Sequence, residues 1–74
     1  MPGKDIQFEI TQHIGNLSAP SEKGWTKELN LVSWNGGAPK YDIRDWSEDH
    51  TKMGKGVTLT AEQAKKLGEL LAGI

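Results

Sequence analysis

The sequence predicts an α+β fold, in which a four-stranded antiparallel sheet is followed by one C-terminal helix (ββββα). Three observations support this prediction. Apolar and polar residues alternate in successive short stretches, as they do in half-buried strands. An Asn-Gly pair at 35–36 separates two of these stretches and is typical of a hairpin turn. Residues 61–74 instead repeat their apolar positions every three or four residues, as an amphipathic helix does.

The first strand is expected at residues 6–14, where apolar and polar side chains alternate at the start of the segment. The alternation slips at His13-Ile14, where a bulge or a twist is expected. Residues 15–24 are rich in Gly, Asn, Ser and Pro and predict a loop. His13 and His50 have no spacing typical of a metal site, so we predict neither a metal ion nor a cofactor.

Residues 25–35 and 40–46 predict the two strands of an antiparallel hairpin. Successive side chains of a strand point to opposite faces. In the first of these strands we expect Leu29 inside and Asn30 and Trp34 pointing outward on the opposite face, unless a bulge shifts the register.

The second hairpin strand has an apolar face and a polar face. Tyr41 and Ile43 are expected in the core. The opposite, exposed face carries Lys40, Asp42, Arg44 and Trp46. Cations beside an indole suit a flexible polyanion with stackable bases, such as a single-stranded nucleic acid. The alternative is a solvated face that simply carries polar residues.

Residues 47–56 predict a polar loop, and a short strand at 57–60 and a closing helix complete the predicted fold. Thr60-Ala61-Glu62-Gln63 matches the capping box that begins many helices. Gly68 costs about 1 kcal/mol relative to alanine inside a helix and suggests close packing there. Gly73 predicts the helix end. The helix is expected to cover one face of the sheet and to leave the other face open.

The composition limits the function classes. We expect one small domain over residues 1–74, and a chain this short buries only about 60% of its unfolded surface. It contains no cysteine, so disulfides cannot stabilise it and oligomerisation is the expected source of further burial. The formal net charge of −1 argues against a broadly basic surface. Nucleic-acid binding would therefore depend on local lysine and arginine residues and on stacking.

The expected cellular location follows from features that the sequence lacks. It contains no run of about 20 apolar residues, which a membrane span needs, and no apolar run typical of a secretory signal. We therefore expect a cytoplasmic protein and leave association with the bacterial nucleoid open.

Ser47-Glu48-Asp49-His50 contains the residue types of a hydrolase triad. A triad is a constellation in space and not a run in sequence, so we predict no enzyme and no catalytic residues.

Three segments together resemble a known family. Tyr41–Trp46, Lys52–Thr60 and the following helix resemble the single-stranded-DNA-binding domain of the transcriptional coactivator positive cofactor four, and the match covers residues 41–71. The segment 25–35 is similar to the small bacterial YdbC-type proteins of the same superfamily. The resemblance implies a curved sheet and a homodimer joined through the C-terminal helices. It also implies single-stranded DNA bound with little sequence preference, in transcription regulation or in replication and repair, with RNA left open.

By position, the resemblance makes Arg44 a backbone-contacting arginine and Lys55 a loop lysine. It places Trp46 in an aromatic pair and Trp34 near a stacking aromatic. The predicted nucleic-acid-binding residues are Lys27, Asn30, Trp34, Lys40, Arg44, Trp46 and Lys55. The hairpin turn has a single lysine, and Gly54 replaces an arginine of the family. Fewer phosphate contacts imply a weaker dependence on salt.

A protein-interaction module is the alternative function, with the open sheet face docking a protein partner. Exposed tryptophan and arginine are also the preferred anchors of protein interfaces. Trp25 lies beside the glycine-containing loop, and the sequence leaves open whether it stacks on bases or packs in the core or in a dimer interface. Binding to an oligonucleotide that weakens with salt would favour nucleic acid over a protein partner.

Overall fold

The computed structural model of the protein describes residues 7–74. Its elements are β1 (Phe8–Asn16), β2 (Thr26–Trp34), β3 (Lys40–Trp46), β4 (Met53–Leu59) and α1 (Ala61–Ala72). The four strands form one antiparallel sheet in the order β1-β2-β3-β4. The predicted fold class is confirmed. Ile6, expected in the first strand, lies outside the described residues.

The hairpin between β2 and β3 turns where the sequence predicts. Asn35 and Gly36 have φ values of 51° and 77°. Two successive positive φ values are typical of the tight turns that match the twist of a hairpin. The N–H of Gly37 donates to the carbonyl of Trp34 at 2.9 Å and closes the turn.

Strand β1 is irregular. Its pairing with β2 shifts register between Ile10 and Gln12 and again between His13 and Gly15. The bulge predicted at His13 is confirmed, and the earlier shift is a further irregularity that the alternation does not show. Bulges bend a strand and re-aim its side chains. Both shifts therefore change which face of the sheet the β1 side chains point to.

Strand β4 begins at Met53, within the segment expected to be a polar loop. Gly54-Lys55-Gly56 belongs to the strand, and Gly56 pairs with Arg44. A Cβ atom on Gly56 would collide with the side chain of Arg44. Glycine at this position lets Arg44 lie across β4, so the loop interpretation of these residues was wrong.

Helix α1 has the predicted ends. The N–H of Gln63 donates to Thr60 Oγ1 at 3.1 Å, and the N–H of Thr60 donates to Gln63 Oε1 at 3.0 Å. This reciprocal pair is the predicted capping box, and Gly73 is the C-cap. No residue of α1 is buried. Within residues 7–74, no helix combines the length and apolar character that crossing a membrane requires.

The sheet has two different faces. We call one the aromatic face, and its residues include Phe8, Glu28, Asn30, Val32, Trp34, Lys40, Asp42, Arg44 and Trp46. The other, the apolar face, lies towards α1 and comprises Leu29, Leu31, Tyr41, Ile43 and Leu59. Val32 and Trp46 are 0% exposed, whereas Leu29, expected inside, is only half-buried. The most tightly buried side chains thus lie on the face that the helix does not cover.

Candidate nucleic-acid interface

Arg44, near the centre of β3, is held by a buried carboxylate. Its Nε lies 2.6 Å from Asp42 Oδ1, and its Nη2 lies 3.0 Å from Asp42 Oδ2. Asp42 is two residues earlier on the same strand, so both side chains lie on the aromatic face. Asp42 is 0% exposed and also accepts a hydrogen bond from Thr58 Oγ1 at 3.0 Å. A bidentate pair of this kind fixes the guanidinium plane as well as its position.

The guanidinium of Arg44 also lies over an indole. Its Cζ atom is 4.7 Å from the ring centroid of Trp34, which is a cation–π contact. Its Nη1 approaches the Gly54 carbonyl and Met53 Sδ, each at 3.4 Å. The Arg44 side chain is 14% exposed. The result is a rigid pair of planar groups, which we call the Trp34–Arg44 platform.

The platform opens onto a shallow surface pocket. This pocket is lined by Trp34, Asn35, Arg44, Met53 and Thr58. Lys40 is exposed at the start of β3, and its position in the strand places it on the aromatic face. Planar groups next to an exposed cation can stack on a base and contact a phosphate.

Trp46 lies on the aromatic face, but the expectation that it is exposed was wrong. It is 0% exposed. Its ring packs against Phe8, with centroids 5.1 Å apart, and against His50, with centroids 5.6 Å apart. Burying so large an aromatic side chain gives a short chain much of its core. The fully buried ring offers no surface for stacking with a ligand.

Asn30 was also expected to point outward, and this expectation was wrong as well. It is 0% exposed. Its Nδ2 donates to Glu28 Oε1 at 3.0 Å, and its Oδ1 lies 2.7 Å from His13 Nδ1. Both polar atoms therefore have partners within the protein, and a buried amide with satisfied hydrogen bonds stabilises the fold.

The two remaining lysines of the predicted set are not part of the Trp34–Arg44 platform. Lys27 alternates with Glu28 along β2 and thus lies on the other side of the sheet. Its Nζ is 3.3 Å from Asp45 Oδ1, and both side chains are about half exposed. Lys55 is exposed in β4. Nucleic-acid contact by Lys27, Trp34, Lys40, Arg44 and Lys55 remains a prediction, whereas Asn30 and Trp46 have no exposed surface with which to make one.

The sequence did not indicate the group around Glu28. This carboxylate is 5% exposed, and His50 Nε2 lies 2.9 Å and 3.1 Å from its two oxygens. His13 Nδ1 lies 3.5 Å from Glu28 Oε1. These residues are distant in the chain and converge because of the sheet register. The β1–β2 pairing brings His13 to the group and the loop after β3 brings His50, and the pattern of residue types shows neither.

The Ser47-to-His50 segment does not have the arrangement of a triad. The imidazole of His50 contacts Glu28 and not the hydroxyl of Ser47, which donates to Asp49 Oδ1 at 3.0 Å. Hydrogen bonds from the Thr51 hydroxyl and backbone, and from Ser47, lower the pKa of Asp49 to about 2. In residues 7–74, no three or more His, Cys, Asp or Glu side chains are arranged to hold a metal ion.

Comparisons with known proteins add to this geometry. A family model described as "Transcriptional Coactivator p15 (PC4)" matches residues 21–70, more than half of the chain. An uncharacterised protein of Treponema pallidum (strain Nichols) is 52% identical over 67 residues, which cover 90% of this chain and 78% of that protein. The family match begins in the loop before β2 and ends within α1. It therefore includes both residues of the Trp34–Arg44 platform.

Proposed function

This chain belongs to the Transcriptional Coactivator p15 (PC4) family, and on that basis we propose that it binds single-stranded DNA with little sequence preference. The observation that carries the proposal is the Trp34–Arg44 platform on the sheet face that α1 leaves uncovered. The proposed unit is one domain over residues 1–74 that acts as a homodimer without catalysis. Its proposed roles are transcription regulation or replication and repair. Similarity to the YdbC-type proteins remains a prediction.

Stacking is the main proposed source of affinity. The charge of Arg44 is already paired with Asp42, so Arg44 offers a phosphate less than a free cation would. A base stacked on an aromatic group contributes about 1–3 kcal/mol and tolerates any sequence. Lys40 and Lys55 are exposed and would supply the phosphate contacts. We therefore expect binding with a shallow dependence on salt.

The apolar face supports the proposed dimer. Between α1 and the sheet runs an apolar groove lined by side chains that include Leu29, Ile43, Leu67 and Leu71. Leu71 is 57% exposed. A helix that packed only on its own sheet would not need an apolar side chain at so exposed a position. Contiguous exposed apolar surface marks interaction sites in soluble proteins. A second copy of this chain, docked through its helix, is the proposed occupant because a chain this short needs more burial than it achieves alone.

Fluorescence anisotropy with a labelled oligo-dT tests the proposed binding. Trp34→Ala and Arg44→Ala should each weaken binding about tenfold, because each removes half of the platform. Lys40→Ala should weaken binding less and lower the salt slope by about 1. Lys27→Ala removes the same charge from the other face, so a smaller loss is expected. Unchanged affinity in both platform variants would contradict the proposed site.

An oligonucleotide panel separates the remaining ligand classes. The same protein is titrated with single-stranded DNA, duplex DNA and single-stranded RNA at two salt concentrations. Binding that is tightest for single-stranded DNA supports the proposal. Equal binding to RNA would mean that the site does not sense the 2′-hydroxyl. Absence of binding even at low salt would favour the alternative, a protein partner on the aromatic face.

A further inference from the structure

Two histidines from distant parts of the chain meet at a pocket on the aromatic face. The pocket has a volume of about 330 Å³ and is lined by Ile10, His13, Asn16, Glu28 and His50. We call it the histidine pocket. Glu28 is buried, whereas the side chains of His13 and His50 are 51% and 41% exposed. The imidazole rings, and not the carboxylate, are therefore the ionisable groups that a ligand can contact.

One nitrogen of each ring is already bonded within the protein. His13 Nδ1 lies 2.7 Å from Asn30 Oδ1, and His50 Nε2 lies 2.9 Å and 3.1 Å from the two oxygens of Glu28. Amide and carboxylate oxygens only accept hydrogen bonds. Each of these inner ring nitrogens therefore carries a hydrogen and donates it.

The outer ring nitrogens are His13 Nε2 and His50 Nδ1. Within residues 7–74, neither has a hydrogen-bond partner. When one nitrogen of a neutral imidazole donates, the other is an acceptor, whereas both nitrogens donate in the protonated ring. Histidine gains this charge between about pH 8 and about pH 5. Protonation thus changes what each ring offers to a ligand, from a lone pair to a charged N–H.

The charge of the histidine pocket depends on this protonation. Glu28 lies 2.9 Å from His50 and 3.5 Å from His13. Arg44 is paired with Glu28 in the sheet register, but its charge is balanced by Asp42. Glu48-Asp49, which precedes His50 in the loop, lines a different pocket. With neutral rings the histidine pocket carries the negative charge of Glu28, and with both rings protonated its net charge is positive.

A DNA phosphate matches the protonated form of the pocket. Phosphate oxygens are the commonest hydrogen-bond partners of proteins on DNA, and they accept charge-assisted hydrogen bonds. Neutral rings would present only lone pairs and the charge of Glu28, which repel a phosphate. Since Glu28 and Arg44 are paired directly, they lie on the same face in adjacent strands. A single strand bound at the Trp34–Arg44 platform therefore has the histidine pocket within reach.

We propose that the protonated rings of His13 and His50 bind a backbone phosphate of the single strand. Each ring donates its outer N–H to a phosphate oxygen. Single-stranded DNA then binds more tightly as the pH falls. This proposal rests on the proposed binding of single-stranded DNA, and it adds a phosphate site whose occupancy depends on pH.

The affinity for labelled oligo-dT, measured by anisotropy at two pH values and constant ionic strength, tests the proposal on the unmodified protein. Neither thymine nor a phosphodiester changes its charge between about pH 5.5 and about pH 8, so a change reports on the protein. We expect binding to be about tenfold tighter at the lower pH, with a salt slope steeper by about 0.7 for one added phosphate contact. Equal affinities and slopes would overturn the phosphate site. Absence of binding at both pH values would instead overturn the proposed function.

A double variant links the pH dependence to the two rings. His13→Asn and His50→Gln place an amide N–H near each inner ring N–H, but an amide does not become protonated. The ratio of the affinities at the two pH values should therefore fall below about twofold. Lys40→Ala is the control, because it should weaken binding at both pH values and keep the ratio of the unmodified protein. A ratio that persists in the folded double variant would overturn the assignment.

NMR of the unmodified protein decides if circular dichroism shows that the double variant is unfolded. The imidazole C–H signals of His13 and His50 are followed at the lower pH while oligo-dT is added to saturation. Both sets of signals should shift in proportion to occupancy. Signals that stay in place at saturation would overturn the proposal.

Discussion

The burial of the two sheet faces is the reverse of what their hydropathy suggests. The aromatic face carries charged and amide side chains, yet within residues 7–74 it contains every fully buried residue, including Trp46 and Asp42. The apolar face is lined by aliphatic side chains, yet Leu29 and Ile43 are only half-buried. Burial in a short chain follows the placement of its largest rings and its paired polar groups.

The difference also separates two tasks. On the aromatic face, Asp42 and Arg44 satisfy one another and hold a flat polar surface in place. Such preorganisation suits ligand binding because little conformational entropy is lost when the ligand binds. On the apolar face, the partly covered groove suits a protein surface of the same character. We therefore expect substitutions on the two faces to act on different equilibria.

The largest expected effect is that of Trp46→Ala on the aromatic face. Removing a fully buried tryptophan costs about 3–5 kcal/mol, which is most of the stability of a small domain. The loss should appear in urea unfolding at every protein concentration.

Leu71→Ala on the apolar face is the matched comparison. Leu71 is 57% exposed within one chain. At low protein concentration, Leu71→Ala should therefore lower the free energy of unfolding by less than about 1 kcal/mol. At high concentration the loss should grow, because the proposed dimer buries this side chain. If Trp46→Ala and Leu71→Ala lowered the free energy of unfolding equally at low protein concentration, the predicted difference between the two faces would be wrong.

Gly68→Ala tests whether a second chain occupies the groove. A Cβ atom at Gly68 would meet nothing within 4 Å in its own chain. Alanine should therefore stabilise the isolated chain by about 1 kcal/mol through helix propensity. Because Gly68 lines the groove, we expect the same methyl group to weaken the dimer in sedimentation equilibrium. Dimerisation that is unaffected by the methyl group would mean that Gly68 does not contact a second chain.

The smallest expected effect lies in the loop after β3, which belongs to neither face. The pKa of Asp49 is lowered from 3.8 to about 2, mainly by the Thr51 hydroxyl. Because the folded-state pKa is the lower one, the stabilisation is present above pH 3.8 and is lost as the pH falls towards about 2. Thr51→Val should raise the pKa of Asp49 in an NMR titration. Oligo-dT binding and dimerisation should not change.

The parts of the fold that depend on neighbouring residues could be predicted from the sequence. Asn35-Gly36 forms the predicted turn, and Thr60 and Gln63 form the predicted capping box. The burial of Trp46 could not be predicted in this way. Its packing on Phe8 depends on the order and register of strands that are far apart in the sequence.

The candidate site shows the same limit. Alternation along β3 correctly places Arg44 on the face opposite the apolar side chains, because the strand period alone determines this. Alternation does not show that Asp42 holds the guanidinium, or that Glu28 meets His50 from a distant loop. These contacts depend on distances between strands and loops, which a pattern of residue types does not contain.

The central claim is that the aromatic face, through the Trp34–Arg44 platform, is the surface that meets single-stranded DNA. The most direct measurement follows the three tryptophan indole N–H signals by NMR while oligo-dT is added. We predict that the Trp34 signal shifts in proportion to occupancy, and that the signal of Trp25, outside the platform, stays in place. A saturating titration that shifts Trp25 and leaves Trp34 unchanged would contradict the account.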